Sequence, residues 1–278
     1  MSSFRIVALF LFATVTMMRG EDWKLLWSDE FNAPGAPDPK HWTNEVGLLR
    51  NREAQYYTAG RKENVRVENG KLIIEARKEH FPNPRYNPGS NDRRNPEFAE
   101  YTSASLTTEK LAAWKYGRIE VRAKLPQGRG VWPAIWMLGT NRYTAGWPKC
   151  GEIDIMEYVG FDPDVIHANI HTGKYNHTRG NGKGSQIKIQ KPFDSFHNYA
   201  IEWFSDHIDF FVDQQKYFTY SREPDAGEDS WPFDQPFYLI LNLAIGGSWG
   251  GQKGMDDSIF PQTYEIDYVR VYAKNEQK

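Results

Sequence analysis

Asn64–Ala76 reads NVRVENGKLIIEA, two short runs of alternating or apolar residues on either side of Asn69-Gly70. An Asn-Gly pair tolerates the left-handed backbone of a two-residue hairpin turn, and β-branched residues suit a pleated, half-buried surface. The stretch therefore predicts an antiparallel hairpin. The same texture recurs outward along the chain in Gly117–Ala123 (GRIEVRA), Asn198–Trp203 (NYAIEW), His207–Val212 (HIDFFV), Phe237–Leu243 (FYLILNL) and Tyr264–Tyr272 (YEIDYVRVY). Short runs separated by Gly, Pro, Asn and Asp predict many short strands, hence an all-β sandwich or barrel. No fixed repeat period appears, which disfavours a propeller or solenoid. His80–Glu100 (HFPNPRYNPGSNDRRNPEFAE) is dense in Pro, Asn and Arg and reads as a long surface loop, either a flap or a tolerated insertion. No linker divides residues 21–278, which read as a single domain.

Composition narrows the function classes. The 278 residues carry 34 basic and 36 acidic side chains, a net charge of -2, so nothing draws the chain to nucleic acid or an anionic membrane. The single cysteine, Cys150, excludes an intrachain disulfide and a cysteine-based zinc site. Residues 1–20 differ from the rest. A short basic start (Met1–Arg5) precedes an apolar run, Ile6 to Met18, too short to span a bilayer but right for a secretory signal. Gly20 offers the small residue of a cleavage site. A secreted or periplasmic protein, free of the membrane after cleavage and monomeric, is expected.

The chemistry concentrates in Gly151–Tyr158, GEIDIMEY. On a strand Glu152 and Asp154 share one face, while Ile153 and Ile155 share the other. Strict alternation puts Glu157 on the wrong side and Met156 toward the carboxylates. One extra residue, a β-bulge, returns Glu157 to the face of the other two, and bulges re-aim side chains in this way beside active sites. Alternate strand positions lie roughly 6.6–6.8 Å apart. Two glutamates leaning over the shorter Asp could then reach the roughly 5–5.5 Å separation that retaining glycosidases use. Three crowded negative charges cannot all stay ionised cheaply, so at least one pKa must rise, giving a protonated donor beside an ionised nucleophile. The alternatives are wet acids on an edge strand or a calcium cluster.

Together with GVWPAIWMLG (Gly130–Gly139) and LNLAIGGSWGG (Leu241–Gly251), this segment resembles glycoside hydrolase family 16, within it the laminarinase-type endo-β-1,3-glucanases. The likeness runs from Trp27-Ser28-Asp29-Glu30-Phe31 to Ile266–Tyr272. It implies a β-jelly-roll sandwich of two curved antiparallel sheets with an open concave cleft, and a retaining endo-glycosidase acting on laminarin-like β-glucan. By the resemblance Glu152 is the nucleophile, Glu157 the general acid and then base, and Asp154 the residue that tunes their protonation. No cofactor serves catalysis. Lichenases show one residue fewer between the acids, whereas agarases and carrageenases can share the longer form. Mixed-linkage glucan or an algal galactan therefore stays an alternative substrate. A non-catalytic β-glucan-binding protein is the alternative from another class, although such relatives typically lose the glutamates kept here.

Sugars present flat apolar faces with polar rims, so a polysaccharide cleft calls for indoles beside amides and acids. Trp132 and Trp136 share a strand face, and the family pattern places them in the cleft; Trp249, in a glycine-rich loop, resembles a subsite residue. In Val165–Thr172 (VIHANIHT) His167, Asn169 and His171 alternate onto one face. The resemblance puts His171 near the catalytic groups, and a transition-metal set is the alternative. Asn51 resembles a residue reaching the glycone side. A structural calcium ion, common in the family away from catalysis, would take Glu30, the Gly70 carbonyl and Asp267. Arg85, Arg93 and Arg94 could contact sulfate or simply be solvated. Asn176-His177-Thr178 is a glycosylation sequon.

Overall fold

In the computed structural model Asn69 and Gly70 both take left-handed backbone, with φ of 52° and 71°. Around them Val65–Glu68 and Lys71–Pro82 pair antiparallel, with Glu68 opposite Lys71. This is the tight hairpin that Asn-Gly predicts. The structure describes residues 23–275; the secretory segment expected over residues 1–20 lies outside them.

The hairpin belongs to a ten-stranded sheet whose centre is Gly117–Lys124, Gln262–Lys274 and Lys71–Pro82. A seven-stranded sheet carries the site. Its order is Lys183–Lys188, Val165–His171, Glu152–Tyr158, Val131–Gly139, Phe237–Ile245, Ser105–Thr107 and Thr43–Asn44. All strand pairings among the described residues are antiparallel except Gln55–Tyr57 with Phe98–Ser103. Among the described residues helix is confined to single turns such as Arg142–Ala145 and Gly247–Gly250. The result is the all-β jelly-roll sandwich expected from the sequence.

Alternation decides which side of each strand is buried. Val131, Ile135 and Met137, Ile166, Ala168 and Ile170, and Leu239, Leu241 and Leu243 face the core between the sheets, where they meet Ile119, Val121, Ile201 and Val269. The residues between them (Trp132, Ala134, Trp136 and Leu138 on one strand, Tyr238, Ile240 and Ala244 on another) form smaller clusters on the outer face of the seven-stranded sheet. Burying each large apolar side chain contributes about 1.5–3 kcal/mol, and this fixes the register firmly because a one-residue slip would expose a whole row.

The expected loop from His80 to Glu100 is shorter than the sequence suggested. Strand pairing continues to Pro82 opposite Phe98, and the His80 ring stacks on Phe98 at 4.2 Å, leaving 83–97 as the connection. Its asparagines stitch it closed. Asn83 Nδ2 donates to the Pro96 carbonyl, and Asn87 and Asn95 exchange side-chain-to-backbone hydrogen bonds.

Candidate active site

The register of Glu152–Tyr158 breaks where the spacing of its acids requires. Asp154 pairs with Trp136, Met156 with Ile135 and Glu157 with Ala134, so Ile155 is the extra residue. Ile155 and Met156 both turn into the core. Glu152, Asp154 and Glu157 all open on one cavity of about 730 Å3 on the outer face of the sheet. The bulge thus does what the sequence spacing demanded.

Each outer glutamate is held by an indole. Trp147 Nε1 donates to Glu152 Oε2 at 3.0 Å, and Trp132 Nε1 donates to Glu157 Oε1 at 3.1 Å. Asn169 Nδ2 donates to Glu157 Oε2, also at 3.1 Å. Asp154 lies between them, 3% exposed, with His171 Nε2 3.3 Å from its Oδ2 and 3.6 Å from Glu152 Oε1. Burial raises the pKa of all three carboxyls, and the Asp154 charge raises those of Glu152 and Glu157 further. Nearby His171 and the hydrogen bonds from Trp147, Trp132 and Asn169 pull the two glutamates partly back. A buried, mutually repelling trio of this kind holds protons at a pH where exposed carboxylates have lost them. It can supply a proton donor and an anionic nucleophile side by side.

The strand Val165–His171 delivers its polar face as alternation predicts, but the face divides. Asn169 and His171 reach the carboxylates, whereas the His167 ring packs edge-on to Trp249 at 4.9 Å. The alternative metal set of His167, Asn169 and His171 therefore does not converge. Among the described residues the donors that do cluster are Glu152, Asp154 and His171, each with an atom within 4.8 Å of the others.

Trp132 and Trp136 line the cavity but are only 8% exposed each, less open than a free stacking platform. Trp136 Nε1 donates to Asn242 Oδ1 at 2.7 Å, and the Arg50 guanidinium lies 4.8 Å from the centre of its ring. Trp249 is half-buried beside Trp132, ring centroids 5.5 Å apart, rather than among the residues lining the cavity. Asn51 does line it. Its backbone is left-handed (φ 53°), its carbonyl accepts from Ser248 N at 2.7 Å, and its side chain donates to Glu53. Glu53, also accepting from Gln55 and Tyr57, is buried, which raises its pKa.

Several cavity residues escaped the sequence reading: Trp147, His177, Arg50, Arg142 and Asn242. Trp147 carried a usable signal, since it stands five residues before Glu152. Its ring lies 5.2 Å from that of His177 and 5.9 Å from that of His171. Arg50 and Asn242 carried none, because nothing local marks which polar residues of distant strands will meet.

The calcium assignment meets a physical obstacle. Both oxygens of Glu30 accept from Arg270, at 2.9 and 2.8 Å, and Asp267 Oδ2 accepts from Arg122 at 2.5 Å. Glu30, Gly70 and Asp267 thus present no uncompensated pair of carboxylates, and the donor set as it stands does not fit a hard divalent cation. The sequon is also spent. Asn176 is 1% exposed, donates to the Thr172 carbonyl and accepts from Thr178 Oγ1 and Arg179 N, so its amide is inaccessible in the folded chain.

Comparison with known proteins matches residues 52–270 to the model of glycosyl hydrolases family 16. The chain is 50% identical over 259 residues to a β-glucanase of Rhodothermus marinus, covering 90% of this chain and 85% of that protein. The X-ray structure of the laminarinase from the same organism superposes with a TM-score of 0.83 at 48% identity, covering 93% of this chain and all of that one. A mutant of SCLam, a non-specific endo-β-1,3(4)-glucanase, superposes with a TM-score of 0.82 at 49% identity, covering 91% and 95% of the two chains. That structure holds 1,3-β-D-cellobiosyl-glucose at its active site.

Proposed function

Because the chain belongs to glycosyl hydrolase family 16 and is a glycoside hydrolase, we propose that it cleaves internal β-1,3-glucosidic bonds of laminarin-like glucans with retention, after export from the cell. The observation that carries the mechanism is the bulge that puts Glu152, Asp154 and Glu157 on one cavity floor. In the first step Glu152 attacks the anomeric carbon while Glu157 gives its proton to the departing glycosidic oxygen. In the second, Glu157, now a base, takes a proton from the water that releases the sugar from Glu152. Both oxygens of Glu157 accept, Oε1 from Trp132 Nε1 and Oε2 from Asn169 Nδ2, which fixes the orientation of its carboxyl. Asp154 keeps the pKa of Glu157 high until the proton is needed, and His171 holds Asp154 in place. Endo action suits a trough lined along its length by Asn51, Trp132 and Trp147.

The test is reducing-sugar release from laminarin, mixed-linkage glucan, agarose and carrageenan, with Glu152→Gln and Glu157→Gln alongside. Laminarin hydrolysis should vanish in Glu152→Gln and fall by roughly 10²–10⁴ in Glu157→Gln. NMR of the first product should show the β-anomer. The α-anomer would refute retention, and activity confined to a galactan would overturn the substrate. Laminarin binding without any hydrolysis would make the chain a recognition protein.

A further inference from the structure

Beside the cavity lies a second depression of about 390 Å3, walled by Leu48, Leu49, Arg50, Arg52 and Glu53 and by Asp92, Arg93 and Arg94 of the 83–97 connection. Leu49, Arg50, Glu53 and Arg94 border both spaces, so the two adjoin. The depression gathers four guanidiniums against two carboxylates, in a chain whose net charge is -2. Two of the four are committed. Arg50 is clasped by Glu45, with Nη1 3.0 Å from Oε1, and Arg94 by Asp92, with Nη2 2.6 Å from Oδ2. Arg52 and Arg93 are exposed and form no ion pair among the described residues.

Their placement is built rather than incidental. Arg52 follows Asn51 in left-handed backbone, with φ of 55° and 53°. Two successive non-glycine residues there cost energy and persist only where the surroundings hold them. The hydrogen bonds from Ser248 N to the Asn51 carbonyl and from Glu53 N to the Arg50 carbonyl do so, and they leave the Arg52 side chain outside the sheet. Arg93 sits in a turn fixed by Asn95 N on the Asp92 carbonyl and Arg94 N on Asp92 Oδ1. Hydroxyls of a neutral glucan have no need of bare guanidiniums, whereas a sulfate ester or carboxylate accepts the paired donors of each.

We propose that this depression is an anion-accepting subsite, binding a sulfate ester or carboxylate on a sugar unit beyond the Asn51 end of the cleft. The proposal rests on the reading of the cavity as a polysaccharide cleft, and its test separates the two. KM and kcat are measured for the wild type and for Arg52→Gln/Arg93→Gln on neutral, lightly sulfated and lightly carboxymethylated laminarin, at low and high NaCl. The wild type should show a KM roughly five- to tenfold lower on an anionic polymer than on the neutral one. That advantage should disappear in the double variant and at high salt, with kinetics on neutral laminarin unchanged. The two modified polymers report which anion is preferred. Equal KM on all three in the wild type, or an advantage that survives the double substitution, would overturn the subsite. Should neutral laminarin not be cleaved, the cleft reading fails by itself. Affinity electrophoresis in the same polymers then decides the subsite: wild type retarded by an anionic polymer more than the double variant supports it, and equal mobility rejects it.

Discussion

At Asp154 burial and charge oppose each other most directly. The side chain is 3% exposed, its Oδ2 lies 3.3 Å from His171 Nε2, and glutamates flank it on the same strand face. Asp154→Asn removes one negative charge and so favours ionisation of Glu157. The alkaline limb of kcat/KM should therefore move to lower pH, and an unmoved limb would show that Asp154 does not set the acid's pKa. The same residue affects stability. A carboxyl whose folded pKa is raised contributes stability that is complete below its ordinary range and is lost as pH rises through the folded value. Asparagine does not titrate, so Asp154→Asn should raise Tm at pH 8, by at least about 2 °C, and give no such gain at pH 4. Calorimetry at the two pH values checks this. The carboxylates themselves were legible residue by residue, because a period of two is a local property. Trp147 and His171 as partners of Glu152 were not derivable from spacing, since their contacts depend on where a turn and a neighbouring strand come to rest.

The bulge is the element that turns the strand Glu152–Tyr158 into a site. E-x-D-x-x-E cannot keep three acids on one face of a regular strand, so the irregularity could be read before any coordinate existed. Its consequence is that Met156, which alternation alone would aim at the substrate, lies fully buried in the core. Met156→Ala should therefore cost about 2–5 kcal/mol in urea denaturation while leaving kcat/KM of the folded enzyme nearly unchanged. A large loss of kcat with little loss of stability would mean that Met156 faces the cleft. The strand Val131–Gly139 shows the limit of periodic reading. Alternation put Trp132 and Trp136 together on one face, but did not show that Glu157 and Asn242 would take their N–H groups or that Arg50 would lie over Trp136.

Over the whole molecule, the sheet of Gln262–Lys274 is tied down by ion pairs where a cation was expected. If Arg270 and Arg122 keep Glu30 and Asp267 occupied, a chelator should leave Tm unchanged and millimolar calcium should not raise it. A rise of several degrees with calcium would mean that the arginines give way to the ion. The sequence by itself determined the all-β class, the Asn69-Gly70 hairpin, the alternating rows of Val131–Gly139 and Val165–His171 and the shared face of Glu152, Asp154 and Glu157. These follow from backbone sterics and from the cost of exposing apolar side chains, which act within a few residues. Only the tertiary structure decided that Arg50 would meet Trp136, that Asn242 would bond Trp136 and Tyr57, and that Arg93 and Arg52 would line one depression. Those meetings join segments tens to nearly two hundred residues apart. Their geometry is set by strand order and register across the sheets and by how one loop closes, which no local pattern encodes.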